Sequence, residues 1–260
     1  MNSGETCAGA AFPLRLERVP PSFRETVAAV AQGILVRFPR TVALVLIGSL
    51  AEGGYTEESD VDLVWIVRGP LRRRWWREME LPSERRVQVI PLLLRGVAWH
   101  FARRTTLAHS IQRGLPIYDP EGRAAALQAR PLALPDPEWM RGWFEHWQRF
   151  YEMGIWELRR ARRWQRKYGN EHPGSVSDIL ARVAVNFAIL LLETEGIVPT
   201  CKRALGEGFQ RLTRGEKLRQ AMETALEVHR QEREMRLEEV DLILYLLRWL
   251  HRRLRQALMP

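Results

Sequence analysis

The chain has 260 residues, 46% of them hydrophobic, with a formal net charge of +9 and a pI near 10.3. That length and apolar content fill a real core, for one large domain or two ordinary ones, and exclude a disordered or fibrous chain. No stretch approaches the roughly 20 apolar residues of a membrane span, and the N-terminal MNSGETCAGAAFPLRLERVP lacks the basic-then-apolar layout of a secretory signal, so the expected compartment is the cytoplasm and no membrane partner is expected.

Ser22 followed by Glu25 reads as a capping box, and Val27, Val30, Ala31, Ile34, Leu35 and Phe38 then recur at helical spacing up to Pro39. Val42–Ile47 is a continuous apolar run that suits a strand buried on both faces, with Gly48-Ser49 at its end. Glu52–Ser59 is polar and rich in turn formers, and Val61–Val67 returns to a β-branched, aromatic strand. A basic helical stretch from Leu71 to about Glu80 precedes a third strand, Arg86–Leu94, which Pro91 assigns to an edge or an early end. A helix from about Val97 to Arg113 stops at Gly114, and Leu115-Pro-Ile-Tyr118 leads out of it.

Three prolines between Arg130 and Pro137 mark a linker, and beyond it no strand pattern remains. Asp136-Pro137 opens a long helix carrying Trp139, Trp143, Trp147, Phe150 and Leu158, broken over Asn170–Ser175. Further helices run from about Val176 to Glu195, ending at Gly196, and from about Leu237 to Leu258, where Val240, Leu244, Leu247 and Leu250 hold core spacing. The expected fold is α+β: a mixed sheet with flanking helices over residues 1–130, then an α-helical bundle of four or five helices over 137–260.

Asp60 and Asp62, in Ser-Asp-Val-Asp-Leu, project from one face of a strand while Val61 and Leu63 point into the core. At about 4 Å and an effective dielectric near 20, two like charges repel by about 4 kcal/mol, which a divalent cation relieves. Oxygen ligands alone favour magnesium or manganese, and magnesium is held by one or two carboxylates plus substrate phosphates, so the matching substrate is a nucleoside triphosphate. Gly48-Ser49 makes the complementary half, because backbone N–H groups beside a glycine, with a serine hydroxyl, hold phosphate oxygens.

Ile-Gly-Ser, ten residues, then Asp-Val-Asp-Leu resembles the signature of the DNA polymerase β-type nucleotidyltransferase superfamily, and is most similar to small bacterial members such as antibiotic adenylyltransferases. The resemblance covers residues 22–119, where Gly-Leu-Pro-Ile-Tyr-Asp at 114–119 looks like the family's exit from its catalytic domain. It implies that Gly48 and Ser49 hold the triphosphate, that Asp60 and Asp62 coordinate magnesium, and that an acceptor hydroxyl attacks the α-phosphate with release of pyrophosphate. ATP is the implied co-substrate, a small molecule or protein the implied acceptor, and a following helical bundle similar to HEPN or kanamycin-nucleotidyltransferase C-terminal domains is implied, with the nucleotide between the two. One position departs from the pattern: where active members place a third acidic residue, the aligned residue is Gln88, and an amide is no general base and a poor substitute for an anionic ligand. Glu78, Glu80 and Glu84 are surface charges on the plainer reading. The rival function is therefore a degenerate nucleotidyltransferase fold that binds nucleotide, RNA or a partner protein, as in a toxin–antitoxin pair.

Other signals are weaker. Lys202, just after the Gly196–Thr200 turn, is a candidate ligand for the triphosphate, and equally reads as a helix C-terminal cation. Four Arg-to-His spacings that resemble the HEPN ribonuclease mark, at 95–100, 104–109, 141–146 and 166–172, reflect the abundance of arginine, which makes up 37 of the 40 basic residues. For the same reason, charge alone does not support nucleic acid as a partner. The run Arg159–Lys167, with Trp164, reads as a solvated helix face ahead of a phosphate-binding one. Cys7 and Cys201 read as free thiols.

Overall fold

The structure, a computed structural model, describes residues 12–69, 85–168, 178–231, 233 and 235–259. The basic stretch from Leu71, the break at Asn170–Ser175, Cys7, and the three glutamates at 78, 80 and 84 lie outside them. The chain divides into two compact units, Met1–Ala102 with Leu107–Pro131, and Arg103–Thr106 with Leu132–Pro260.

In the first unit a 3-10 turn, Pro21–Phe23, leads into α1, Arg24–Arg37. The expected capping box does not form. The 3-10 turn takes up the residues it needs, Phe23 becomes the N-cap, and the Ser22 hydroxyl lies 3.2 Å from Glu57 Oε1 instead. β1, Thr41–Ile47, is buried along its whole length and runs through Gly48 into one helical turn, α2, Ser49–Glu52. β2 spans Val61–Val67, β3 Val87–Leu93 and β4 Leu115–Tyr118, in the sheet order β3-β2-β1-β4. β1 pairs antiparallel with β2 and β4, and β2 pairs parallel with β3.

β3 is an edge strand, as Pro91 requires, yet it continues past the proline to Leu93, because an edge tolerates a missing N–H. Leu115–Tyr118, read from sequence as an exit segment, is the opposite edge strand. Gly114 permits the approach: a Cβ there would stand 2.7 Å from the Leu46 carbonyl oxygen and 2.6 Å from Val45 Cγ1. The single helix expected over 97–113 is two, α3, Leu94–Arg103, and α4, Thr106–Arg113. Arg104 adopts a left-handed φ of 52° and Thr105 is buried, which interrupts the helical ladder between them. α5, Arg123–Gln128, is capped by the buried Asp119, whose carboxylate accepts from the N–H groups of Ala124 (3.1 Å) and Ala125 (3.0 Å).

Alternation along the strands builds two cores. Leu44, Leu46, Leu63 and Trp65 face Val27, Val30, Ile34 and Leu35 of α1. Val45, Ile47, Val64 and Ile66 face Val97, Ile111 and Ala124 on α3, α4 and α5. Trp65 satisfies its one donor on the Thr41 hydroxyl at 2.9 Å, and that hydroxyl donates to the Phe38 carbonyl at 2.7 Å.

The second unit holds five helices among the described residues: α6, Pro137–Tyr168, α7, Asp178–Thr194, α8, Lys202–Leu212, α9, Glu216–Gln231, and α10, Leu237–Leu258. Asp136 opens α6 by accepting from the Glu138 N–H at 2.9 Å, and Arg103 bridges Asp136 and Glu138. α7 is the hub, with Leu180, Val183, Ala184, Phe187 and Leu190 fully buried. Gly154 lets α6 close on it, since a Cβ there would meet Leu180 Cδ2 at 2.5 Å. Near the end of α7, Glu193 is buried and accepts from the Thr106 hydroxyl at 2.6 Å, while its Oε2 has no hydrogen-bond partner. Burial pushes its carboxyl up to about 7, and the Thr106 bond only partly offsets this. Gly196, at φ 83°, follows the helix end. Cys201 is a free thiol that accepts from the Ala204 N–H at the start of α8.

Candidate active site

Gly48 stands where β1 ends. Its backbone, φ 71° and ψ −149°, lies in a region open essentially to glycine alone, and it turns the chain from a buried strand directly into α2. The Gly48 carbonyl accepts from the Ala51 and Glu52 N–H groups, and the Ser49 carbonyl accepts from Gly54, so the turn is closed on itself. A Cβ added at Gly48 would stand 2.9 Å from Asp62 Oδ2. The β1/β2 register explains this closeness, because Ile47 is paired with Asp62 across the antiparallel ladder.

Asp60 immediately precedes β2 and Asp62 is its second residue; both are half-buried, whereas Val61 and Leu63 are fully buried on the α1 side. Asp62 thus shares the face of Val64 and Ile66, at the end of that face nearest Gly48. The loop that delivers Asp60 is tied down. The Thr56 N–H donates to the Ser59 hydroxyl at 2.9 Å, the Glu57 carboxylate bonds Ser22 and Arg85, Arg85 lies 4.2 Å over the Phe23 ring, and Phe23 meets Tyr55 edge-on at 5.8 Å.

The parallel β2/β3 register pairs Asp62 with Gln88. Gln88 shares its strand face with Ile90 and Leu92 and is exposed, so an amide occupies the lateral neighbour of Asp62, where a carboxylate would complete a three-acid cluster. Sequence reasoning passed over Glu52, at the end of α2, whose Oε1 is buried without a hydrogen-bond partner. The available signal was its position, four residues after Gly48. Among the described residues no group of three His, Cys, Asp or Glu is placed to hold a metal ion. Lys202 is the first residue of α8, in the second unit, and its side chain is exposed. It stands at a helix N-terminus, so the C-terminal reading given to it from sequence is corrected: the intervening turn starts a helix instead of ending one.

Two carboxylates at one strand start are a donor set that suits magnesium, and the missing side chain at position 48 lets the Asp62 carboxylate pack against the Gly48 turn. No helix among the described residues is long and apolar enough to cross a membrane.

Residues 30–110 match the family model described as "Nucleotidyltransferase domain". Among solved structures, the chain is similar to spectinomycin adenyltransferase AAD(9) from Enterococcus faecialis, with a TM-score of 0.55 and 14% identity over 89% of this chain and 98% of that one. A nucleotidyltransferase-like protein from Exiguobacterium sibiricum matches at a TM-score of 0.39 and 15% identity, over 88% of this chain and 76% of that one. No curated protein matches the chain. The matched span begins within α1, ends within α4 and contains Gly48, Ser49, Asp60, Asp62 and Gln88, so residues 30–110 are similar to a nucleotidyltransferase domain of the polymerase β-like type.

Proposed function

We propose that this domain transfers a nucleoside monophosphate, AMP from ATP, to a hydroxyl of a small molecule or a protein, with magnesium as the metal and manganese as its substitute. The observation that carries the reading is the packing of Gly48 on Asp62, which makes the phosphate cradle and the metal-binding acid a single site. Asp60 and Asp62 would hold the magnesium, which when bound neutralises phosphate charge and polarises the α-phosphate. The N–H groups beside Gly48 and the Ser49 hydroxyl bind the triphosphate oxygens. The acceptor oxygen bonds to the α-phosphorus as the bridge to the β-phosphate breaks, and pyrophosphate leaves. The acceptor's proton passes to an aspartate carboxylate or to water, because the Gln88 amide takes none. AAD(9), whose fold this chain shares, was solved with ATP and spectinomycin, which supports a nucleotide donor and a small-molecule acceptor.

The pairing of Gln88 with Asp62 favours one alternative, a catalytically degenerate domain that binds nucleotide, RNA or a partner protein without turnover. Incubation with magnesium and α-labelled ATP, GTP, CTP or UTP, with and without cell extract, separates the two. Label transferred by the wild type but not by Asp60→Ala/Asp62→Ala supports the transferase. Metal-dependent nucleotide binding without transfer supports the binding module.

A further inference from the structure

α6 is used by its bundle only as far as Leu158. Met140, Phe144, Gly154 and Leu158 are buried, whereas from Arg159 to Lys167 every described side chain is exposed or half-buried. Those nine residues hold six cations and no acid. Arg162 pairs with Asp241 at 2.7 Å, while Arg160 and Arg163 have no carboxylate within ion-pair distance among the described residues. Just before this run, Trp156 is 57% exposed and Met153 42% exposed, three residues apart and so side by side on the helix surface.

Positions 149, 153, 156, 160 and 163 advance by four and three residues in turn, so Arg149, Met153, Trp156, Arg160 and Arg163 form one stripe along the helix, about 21 Å long at a rise of about 1.5 Å per residue. The Arg160 guanidinium lies 5.6 Å from the centre of the Trp156 ring.

We propose that this stripe binds single-stranded nucleic acid, with Arg149, Arg160 and Arg163 on backbone phosphates and the Trp156 indole as a stacking platform for a base. Six cations without an acid over Arg159–Lys167 call for a polyanion, and a flat ring at the edge of that run calls for one whose charges alternate with planar groups; Glu152 and Glu157 border the stripe only at its Arg149–Trp156 end. A duplex keeps its base faces stacked inside. A membrane surface needs a broad apolar face, and this stripe has two apolar residues in five. An acidic peptide brings charge but no plane to stack on. The stripe shares no residue with the Gly48–Asp62 site, so this inference and the nucleotidyl-transfer reading stand or fall separately.

The test uses the full chain with fluorescently labelled RNA and DNA strands of about twenty nucleotides, the corresponding duplexes, and phosphatidylserine-containing vesicles, at several salt concentrations. Single strands should bind in preference to duplexes. Trp156→Ala should weaken single-strand binding about tenfold or more, and Trp156→Phe, which keeps a stacking face, should retain most of it. Arg160→Gln/Arg163→Gln should make the plot of log affinity against log salt shallower by about 1.4, two phosphate contacts at about 0.7 each. These are exposed positions, and unchanged circular dichroism would confirm the fold of each variant. Equal binding of duplex and single strand with no effect of Trp156→Ala, capture by vesicles in place of oligonucleotides, or no binding at low salt would each overturn the proposal.

Discussion

Replacing Gly48 by alanine perturbs stability and site together, and the two effects have separate origins. The backbone at φ 71° and ψ −149° costs a non-glycine residue of order 1–3 kcal/mol. The new methyl carbon would also stand 2.9 Å from Asp62 Oδ2, so either the turn or the carboxylate must move. At roughly 2–4 °C per kcal/mol, the midpoint of thermal unfolding should fall by about 2–12 °C. Gly33→Ala is the internal control: it lies inside α1 with no atom within 4 Å of the added Cβ, and should be neutral or stabilising by up to about 1 kcal/mol. Calorimetry of wild type and both variants, with magnesium-dependent nucleotide binding measured well below the midpoint, reads both effects. Gly48→Ala should lose nucleotide affinity even where it is fully folded, because the cradle and Asp62 no longer fit each other. A variant as stable as wild type, with unaltered nucleotide binding, would refute the reasoning.

Three further outcomes are expected. Gln88→Glu places an acid beside Asp62 and should raise magnesium-dependent transfer by about 10²-fold or more, the lower end of the range of about 10²–10⁴ ascribed to a positioned base; an unchanged rate in a radiolabel assay would show that position 88 is not in the reacting group. Glu193 holds its proton more tightly in the native state than in the unfolded chain, so stability should decline as pH rises from about 4.5 through about 7 and level off above, by an amount on the order of 3 kcal/mol; Glu193→Gln should flatten that slope in thermal melts at pH values across the range, and a slope that persists in the variant would assign it elsewhere. Gly154→Ala drives a methyl group into Leu180 at 2.5 Å and should destabilise the helical unit by about 1–3 kcal/mol in urea denaturation, with no loss expected if α6 and α7 can separate freely there.

Much of this protein is written locally. The unbroken apolar run of β1 announces a strand covered on both faces, and both faces are covered. Gly196 after a run of helical periodicity, and the repeat of Val240, Leu244, Leu247 and Leu250, place helix ends and cores to within a few residues, because caps and amphipathic spacing are properties of adjacent residues. Gly48-Ser49 and Asp60-Val-Asp62 are legible for the same reason: a glycine-only backbone and an alternating strand each restrict the residue types at their own positions.

What the sequence could not decide depends on partners distant along the chain. Leu115–Tyr118 is too short to declare itself a strand, and becomes one by pairing with β1 about seventy residues earlier. Ser22 is taken up in the 3-10 turn and meets Glu57 instead of capping α1, and the helix at 94–113 divides at Arg104 and the buried Thr105. The register that sets Gly48 against Asp62, and Asp62 beside Gln88, is likewise a tertiary fact. Sequence names the candidate residues by what each backbone position tolerates; the pairing of β1 with β2 and of β2 with β3 decides which of them meet, because hydrogen-bonded register is fixed by the burial of both sheet faces and not by any neighbour along the chain.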